Sequence, residues 1–365
     1  MELAGLIVQR IKEDGPLCFR EFMEMCLYHP GAGYYTSEGN PIGGSGDFYT
    51  SANLTPAFGA MIGKQMEEMW HKLDEKAFTI VEYGAGTGLL CCDILKYLQH
   101  NERMYDGLQY YIIEKSPAMR AIEHVNVNEK VCWVDSIKDI PAINGCILSN
   151  ELVDNFAVHQ VVMTDELMEI FVDYHEGFTE ILQPAGEALR NYFTELNIAL
   201  PDGFRTEVNL QAIDWIQEAA TALQRGYIMT IDYGYQSAEL YKTCRSQGTL
   251  VCYHKQTVSD AIYANLGQQD ITAHVNFSAL THWGARYGLT DCGFTDQCHF
   301  LLSLGFKKYL NEAIAHEQDM IRAVRKAAML SHTLLIDMGS KFKVLIQEKG
   351  GCSRALSGLS LQEAF

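Results

Sequence analysis

The feature that most constrains this chain is a glycine-rich turn in the stretch Thr79 to Leu90, TIVEYGAGTGLL. The residues ahead of the glycines are apolar, as in a strand that is buried in a parallel sheet. Gly84, Gly86 and Gly88 stand at alternate positions, where the backbone can turn tightly and lie close to a ligand because no side chain intervenes. The stretch therefore predicts a buried strand, a ligand-binding turn and a helix.

The spacing of the glycines distinguishes between cofactors. A dinucleotide-binding turn follows G-x-G-x-x-G, whereas this turn follows G-x-G-x-G and has Leu89 in place of the last glycine. It is not a P-loop, because no Gly-Lys-Ser/Thr follows. The acid Glu82 ahead of the glycines would repel phosphate and attract a cation. The pattern is typical of class I methyltransferases, which bind the positively charged S-adenosylmethionine; a purely structural turn is the alternative.

The size and charge of the chain limit its class. With 365 residues, 48% of them hydrophobic, it predicts about two folded domains. No run approaches the ~18 apolar residues of a membrane span, and the first residues follow a helical pattern without a basic leader. We therefore expect a cytoplasmic protein without a targeting segment. The formal net charge of −18 disfavours nucleic acid and anionic membranes as partners and mildly favours a basic partner.

The cysteines argue against disulfides. There are eleven, an odd number, and none follow a C-x-x-C spacing. Cys91, Cys132 and Cys146 fall inside predicted strands or helices. We expect reduced, buried cysteines rather than disulfides or zinc ligands, and we expect no metal site.

Residues 1 to about 75 predict a helical segment that a glycine-rich loop interrupts. The loop from Gly43 to Ser51 is too rich in glycine for regular structure. Aromatic and hydroxyl residues beside its glycines favour an ordered lid over the cofactor, and a plain surface loop is the alternative. The lid residues that we expect to contact the cofactor are Gly46, Asp47, Phe48, Thr50 and Ser51.

From Thr79 onward, strand and helix patterns alternate, which predicts a parallel sheet. The second strand, Leu108 to Ile113, ends at Glu114, which would accept hydrogen bonds from the ribose hydroxyls. A helix-capping role is the alternative for Glu114. Asp135 follows the third strand, where it would accept the adenine amino group or lie solvated in a loop.

The fourth strand, Gly145 to Ser149, leads into the polar residues Asn150, Glu151 and Asp154. Ligands gather at the carboxyl ends of parallel strands, so these residues should face the transferable group. Glu151 and Asp154 are spaced to converge on one turn, where two carboxylates would hold a guanidinium by forked hydrogen bonds. A capping cluster at the start of the next segment is the alternative.

The region after Asp154 has a different pattern of apolar residues. Alternating apolar segments between Val158 and Leu182 predict an antiparallel meander, and helices follow before a fifth sheet strand at Gly226 to Ile231. We therefore predict an N-terminal helical and lid segment at 1–75, a core at 76–158 and 226–350, and an inserted substrate-recognition region at 159–225.

Two further expectations concern the last third of the chain. The stretch 334–346 predicts a hairpin that closes the edge of the sheet. His254 and His274 are candidate proton acceptors, because histidine alone titrates near neutral pH without perturbation. A structural role is the alternative for each.

Several motifs, in the same order from about residue 15 to residue 346, resemble the MidA family of methyltransferases. They are Glu82 to Gly88 with Asp93, His29-Pro30 with Gly33 to Tyr35, Gly46 to Phe48, Asn150 to Asp154, Asp232 to Tyr235, and Asp270 to Phe277. A combination of this kind is far more specific than any one motif.

The resemblance implies an α/β fold with a Rossmann-like class I methyltransferase sheet, an N-terminal helical extension and an inserted α+β region. It also implies an enzyme that uses S-adenosylmethionine to methylate an arginine on a basic segment of a partner protein, with Glu151, Asp154 and Asn150 as catalytic residues. A mitochondrial member acts in this way on a core subunit of respiratory complex I, so a subunit of that kind or a homologue is the expected partner.

Three alternatives stay open. The chain could be a small-molecule O- or N-methyltransferase, or a cofactor-binding assembly chaperone without turnover. A nicotinamide dehydrogenase is the weakest alternative because the last dinucleotide glycine is missing. A homodimer is left open.

Overall fold

The computed structural model describes residues 2–37, 51–127, 130–255, 257–315 and 320–360. Four of the predicted cofactor contacts therefore lie outside the described residues: Gly46, Asp47, Phe48 and Thr50.

The chain begins with helices around a short strand: α1 Leu3–Asp14, β1 Leu17–Cys18, α2 Phe19–Tyr28, α3 Ser51–Leu54 and α4 Pro56–Lys72. Strands and helices then alternate: β2 Phe78–Tyr83, α5 Leu89–Leu98, α6 Glu102–Gly107, β3 Leu108–Ile113, α7 Pro117–Asn126, β4 Val131–Val134 and β5 Ile143–Asn150. The next elements are β6 His159–Met163, β7 Leu167–Tyr174, β8 Phe178–Pro184, α8 Glu187–Glu195, β9 Arg205–Val208, α9 Leu210–Ala222 and β10 Leu223–Tyr235. The last are α10 Ser237–Leu240, β11 Val251–His254, β12 Thr257–Ser259, β13 Asp270–Thr272, β14 Val275–Asn276, α11 Phe277–Arg286, β15 Thr290–Asp296, α12 Gln297–Ser303, α13 Phe306–Ala315, α14 Met320–His332 and β16 Phe342–Lys349.

The chain divides into two compact units. The first, here called the meander unit, comprises Met1–Phe48, Val153–Ile216 and Gly234–Trp283. The second, here called the sheet unit, comprises Tyr49–Leu152, Gln217–Tyr233 and Gly284–Phe365. The division rests on compactness, so the functional domains predicted at 1–75, 76–158 with 226–350, and 159–225 stay a prediction.

The main sheet has the strand order β15-β16-β10-β5-β2-β3-β4. Strands β10, β5, β2, β3 and β4 are parallel, whereas β16 is antiparallel to both β10 and β15. From β2 the chain proceeds outward to β3 and β4, and it then returns to β5 on the other side of β2. In open α/β sheets, ligands bind at the carboxyl ends of the strands where the order reverses in this way. The predicted α/β fold with a mostly parallel sheet is confirmed.

Helix α4 packs closely on α5 within the sheet unit. A Cβ at Gly59 would lie 2.5 Å from Asp93 Cβ, and a Cβ at Gly63 would lie 2.9 Å from Tyr97 Cδ1. The two glycines are four residues apart and therefore share one face of α4. Because they carry no side chains, α5 can approach that face, which fixes the helix that follows the glycine turn.

The predicted meander is confirmed in the meander unit. Its strands pair in the order β1-β7-β6-β9, with β8 added to β7, and all these pairs are antiparallel. A second, three-stranded sheet has the order β12-β11-β13. Apolar side chains of α1 and α2, including Ile7 and Phe22, are fully buried in one core with Val172 and Ile271. Burial of this core stabilises the unit by the hydrophobic effect.

Two expectations from the sequence are wrong. The stretch 334–346 is not a hairpin: a π-helix, Thr333–Asp337, is followed by β16, which pairs with β10 and β15. A short apolar run such as Leu334 to Ile336 does not distinguish a strand from a buried helical turn. Cys132 is exposed rather than buried, because alternate residues of the edge strand β4 face opposite sides.

Among the described residues, the helices lack the length and apolar content that a membrane span requires.

Candidate functional site

The glycine turn follows β2, next to the position where the strand order reverses. Gly84, Gly86 and Gly88 have φ angles of 63°, 58° and 76°, in the left-handed region that residues with a Cβ rarely adopt. A Cβ at Gly88 would also lie 2.5 Å from Val127 Cγ2. The conformation of this turn therefore requires glycine at the three alternate positions that the sequence singled out.

Glu82 precedes the turn and is 2% exposed. Tyr110 Oη donates a 2.7 Å hydrogen bond to Glu82 Oε2. Burial raises the pKa of Glu82 to about 7, although the hydrogen bond from Tyr110 opposes the shift. A cation near this carboxyl would favour its charged form, in line with the predicted role beside a positively charged ligand.

Glu114 and Asp135 follow the neighbouring strands β3 and β4. Glu114 Oε1 accepts a 2.6 Å hydrogen bond from the Ser116 N–H at the start of α7, so the capping contact considered for it is present. Burial raises the pKa of Glu114, and the backbone N–H groups of Ser116 and Lys115 partly offset the shift. Arg120 Nη2 donates to the Glu114 carbonyl and to Asp135 Oδ1, each at 2.9 Å. The structure therefore brings the two acids together on one arginine, and their cofactor roles stay predictions.

Ser51 and Asn150 both donate hydrogen bonds to Glu151. The Ser51 N–H is 3.2 Å from Glu151 Oε1, and Asn150 Nδ2 is 3.3 Å from the same oxygen. The Glu151 N–H donates to the Ile231 carbonyl at 2.9 Å. Glu151 has a φ angle of 52°, which costs a residue with a Cβ about 1–3 kcal/mol and is typical of functional sites. Three predicted site residues therefore meet at the carboxyl end of β5.

Polar atoms near this end of the sheet fit a polar ligand. Among the described residues, Asn53 Nδ2, Ser149 Oγ and Asn150 Oδ1 are buried and have no hydrogen-bond partner. Thr87 Oγ1 in the glycine turn donates to Asn53 Oδ1 at 3.0 Å, so Asn53 is held beside the turn. Buried polar atoms are almost always paired in folded proteins, so these atoms offer both donors and acceptors to a bound molecule. The residues fit S-adenosylmethionine, whose polar groups are amino, carboxylate, hydroxyl and adenine nitrogen atoms.

Asp154 belongs to the meander unit, whereas Glu151 belongs to the sheet unit, so their predicted convergence stays a prediction. Asp154 is 3% exposed, and its carbonyl accepts a 3.1 Å hydrogen bond from the Ala273 N–H. It lies in a 3-10 turn, Val153–Asn155.

A tyrosine cluster surrounds this turn within the meander unit; it comprises Tyr28, Tyr35, Asp154, Asn155 and Asp270. Tyr35 Oη donates to Asn155 Oδ1 and Tyr28 Oη to the Asn155 carbonyl, each at 3.0 Å. The two tyrosine rings stack with centroids 5.6 Å apart. Burial raises the pKa of Tyr35 well above its ordinary value, and the charges of Asp270 and Asp154 add to the shift. Tyr35 therefore stays protonated and can donate.

No pattern in the sequence assigned a site role to the tyrosine cluster. Tyr35 and Asp270 lie in motifs that carry the family resemblance, and that position was the available signal. Asp270 is 2% exposed, and its charge contributes to the raised pKa of Tyr35. More than half of the sequence separates these two residues. Such a contact is not visible in residue spacing.

The two candidate histidines differ. Burial, together with the positive charge of Arg245, lowers the pKa of His274 to about 4, so this ring is neutral near pH 7. His254 Nδ1 donates to the Gln268 carbonyl at 2.6 Å. Neither the lowered pKa of His274 nor the hydrogen bond of His254 shows that the histidine takes part in a reaction, so the proton-acceptor roles stay predictions.

Comparisons with known proteins agree with this geometry. The model of a family of S-adenosyl-L-methionine-dependent methyltransferases matches residues 61–295. Protein arginine methyltransferase NDUFAF7, mitochondrial, of Xenopus tropicalis is 25% identical over 93% of this chain and 84% of its own length. Its Caenorhabditis elegans homolog is 24% identical over 96% and 89%. A crystal structure from Burkholderia thailandensis, bound to S-adenosyl-homocysteine, has a TM-score of 0.87 at 27% identity and covers 98% of this chain and 94% of that one.

One prediction is contradicted. The matched relatives are mitochondrial by name, which conflicts with the cytoplasmic location expected from the sequence. That expectation is wrong, because patterns of charge and hydropathy in the first residues were its only basis.

The match extends over more than half of the chain, and the order of the strands in the main sheet is in line with a methyltransferase fold. The predicted cofactor, S-adenosylmethionine, and the predicted class I methyltransferase fold are confirmed. The chain belongs to the family of S-adenosyl-L-methionine-dependent methyltransferases.

Proposed function

We propose that this enzyme transfers a methyl group from S-adenosylmethionine to an arginine side chain of a partner protein. The observation that carries the proposal is the similarity to protein arginine methyltransferases over 92–96% of the chain in relatives as distant as human and nematode. The similarity extends well beyond the cofactor-binding turn, and it spans the inserted region at 159–225 for which we propose substrate recognition.

The sheet unit would bind the cofactor. Bound S-adenosylmethionine supplies a methyl group that its sulfonium has already activated. The backbone of Gly84, Gly86 and Gly88 would allow close approach, and Glu82 would offset positive charge. Glu114 and Asp135 would accept hydrogen bonds from ribose and adenine. The lid residues Gly46, Asp47, Phe48, Thr50 and Ser51 would complete the contacts.

Glu151, Asn150 and Asp154 would act on the substrate. Arginine stays protonated, with a pKa above about 12, so it is a reluctant nucleophile. A carboxylate that accepts its N–H groups would orient the guanidinium and draw its charge toward the far nitrogens. The hydrogen bonds from Ser51 and Asn150 support this role, because they hold Glu151 Oε1 in one position.

The partner should present its arginine in a basic segment, because the chain has a formal net charge of −18. The family resemblance favours a core subunit of respiratory complex I or a homologue. The names of the relatives do not mention a homodimer, which stays a prediction.

Transfer of labelled methyl tests the substrate class. The full chain is incubated with tritiated S-adenosylmethionine and a mitochondrial extract, and the protein fraction is hydrolysed. We expect the label in methylarginine of a protein. Label confined to solutes would instead indicate a small-molecule methyltransferase, and cofactor binding without any transfer would indicate an assembly chaperone; either result would overturn the proposal.

Glu151→Gln tests the proposed catalytic residue. Glutamine keeps the size of the side chain but cannot supply the negative charge, so we expect a roughly 100-fold or larger fall in kcat. Binding of S-adenosyl-homocysteine, measured by calorimetry, should change little. The matched control is Glu176→Gln, which removes the same charge from an exposed turn between β7 and β8. Equal turnover of the two variants would contradict the assignment.

A further inference from the structure

Three side chains of the meander unit form a cluster that differs from the methyl-transfer residues. Cys18 Sγ, one ring nitrogen of His159 and one carboxylate oxygen of Glu169 all lie within 4.8 Å of one another. They come from β1, β6 and β7 respectively. The side chains of His159 and Glu169 are only 15% and 10% exposed.

Strand pairing creates this cluster. β1 pairs with β7 so that Cys18 lies opposite Phe171, and β7 pairs with β6 so that Glu169 lies opposite Val161. Since Val161 is two residues from His159, Glu169 and His159 occupy diagonal positions on the same face. Their side chains meet, with His159 Nδ1 2.6 Å from Glu169 Oε1. The arrangement depends on the backbone of three strands, so the donor atoms are fixed before any ligand binds.

Glu21 holds Cys18 in place beside this cluster. Its Oε2 accepts hydrogen bonds from Cys18 Sγ at 3.4 Å and from the Cys18 N–H at 3.3 Å. Cys18 and Glu169 can both carry negative charge beside the imidazole of His159, and a divalent cation would compensate for this charge.

We propose that Cys18, His159 and Glu169 bind a zinc ion. Thiolate and imidazole ligands favour zinc over magnesium or calcium, and three protein donors of S, N and O type leave the fourth position of a tetrahedral site to a water molecule. On binding, Cys18 releases its thiol proton to solvent, and His159 offers the Nδ1 lone pair to the metal while its proton resides on Nε2. The bond between His159 and Glu169 is replaced by two bonds to zinc.

The ion has a structural role in this proposal. It joins β1, through Cys18, to β6 and β7, through His159 and Glu169. Because these three strands pair with one another, the bound ion would stabilise their pairing. The proposal revises the expectation of no metal site and does not depend on the methyl-transfer function.

The test uses the full chain after treatment with a chelator. Zinc is added, excess metal is removed by dialysis, and bound zinc is measured by mass spectrometry. Cobalt substitution gives a second readout, because a thiolate ligand produces a charge-transfer band in the near ultraviolet. We expect stoichiometric zinc and this band, with a rise in the zinc Kd of about tenfold or more in Cys18→Ser.

Controls separate binding from folding. Cys18 is the N-cap of α2, a position that serine also favours, so Cys18→Ser should fold. If circular dichroism shows that it does not, His159→Gln with the same readouts takes its place. Cys132→Ser removes an exposed cysteine from the sheet unit and should retain zinc and the cobalt band. Absence of stoichiometric zinc, or equal zinc binding by the Cys18 and Cys132 variants, would mean that the cluster is only a hydrogen-bonded network.

Discussion

Glu82 couples the pH to the stability of the fold. Its pKa is about 7 in the folded chain, against an ordinary value of 4.5, so between these values the folded state binds more protons than the unfolded state. Stability therefore falls as the pH rises through this range and levels off above it.

Glu82→Gln should remove this dependence, because glutamine does not titrate but can still accept the hydrogen bond from Tyr110. From pH 5 to pH 8 we expect the wild type to lose up to about 3 kcal/mol relative to the variant. Urea unfolding at the two pH values measures the difference. Glu176→Gln, at an exposed turn, is the control and should follow the wild type; a Glu82→Gln curve parallel to the wild type would rule out the buried charge as the cause.

Individual residues also show which features of the site could be predicted from the sequence. The positions of acids at strand ends could be predicted from the sequence, because a buried strand appears as an apolar run and each acid directly follows such a run. The hydrogen bonds of these acids could not be predicted, since Ser51 and Glu151 are 100 positions apart and meet only in the fold. The left-handed backbone of Glu151 was equally hidden, because glutamate has no preference for that region.

Among the elements, the turn between β2 and α5 supports a sharp prediction. Valine at Gly86 would face a φ of 58°, which strains any β-branched residue, and its side chain would occupy space beside the backbone where the cofactor lies close. We expect Gly86→Val to weaken binding of S-adenosyl-homocysteine at least about tenfold, as measured by calorimetry.

The matched control for this prediction is Gly203→Val. Gly203 has a φ of 74°, and a Cβ there would meet no atom within 4 Å, so the variant reproduces the backbone strain alone. It lies in the meander unit and should bind the cofactor like the wild type. Unchanged affinity in Gly86→Val would refute the placement of the cofactor against this turn.

Strongly patterned elements were predicted well and weakly patterned ones were not. β3 spans Leu108 to Ile113, the bounds that the sequence predicted, and β6, β7 and β8 form the antiparallel meander expected from Val158 onward. The prediction for Leu334 to Ile336 was wrong because burial, rather than local preference, decides the conformation of this run. Leu334 is fully buried in a π-helical turn. The two-residue strand β1 was missed, because it forms only by pairing with β7.

At the scale of the whole molecule, the similarity to relatives includes both units. The family match at residues 61–295 contains the segments 153–216 and 234–283 of the meander unit, and the matched relatives align with 92–96% of the chain. The similarity is therefore not limited to the cofactor-binding sheet, which is why the tyrosine cluster and the cluster of Cys18, His159 and Glu169 are worth testing in the full chain.

The stability of the whole chain should report the identity of the cofactor. A ligand that binds only the folded state stabilises it by RT ln(1 + [L]/Kd), or about 2.7 kcal/mol at one hundred times Kd. For a chain of 365 residues we expect S-adenosyl-homocysteine to raise Tm by roughly 3–4 °C in differential scanning fluorimetry. NAD⁺ at the same concentration should leave Tm unchanged, because Leu89 replaces the glycine that a dinucleotide-binding turn needs. In Gly86→Val the rise should fall to about half or less, as a tenfold or larger loss of affinity requires. An equal rise with NAD⁺ would show that the turn does not discriminate between the two ligands.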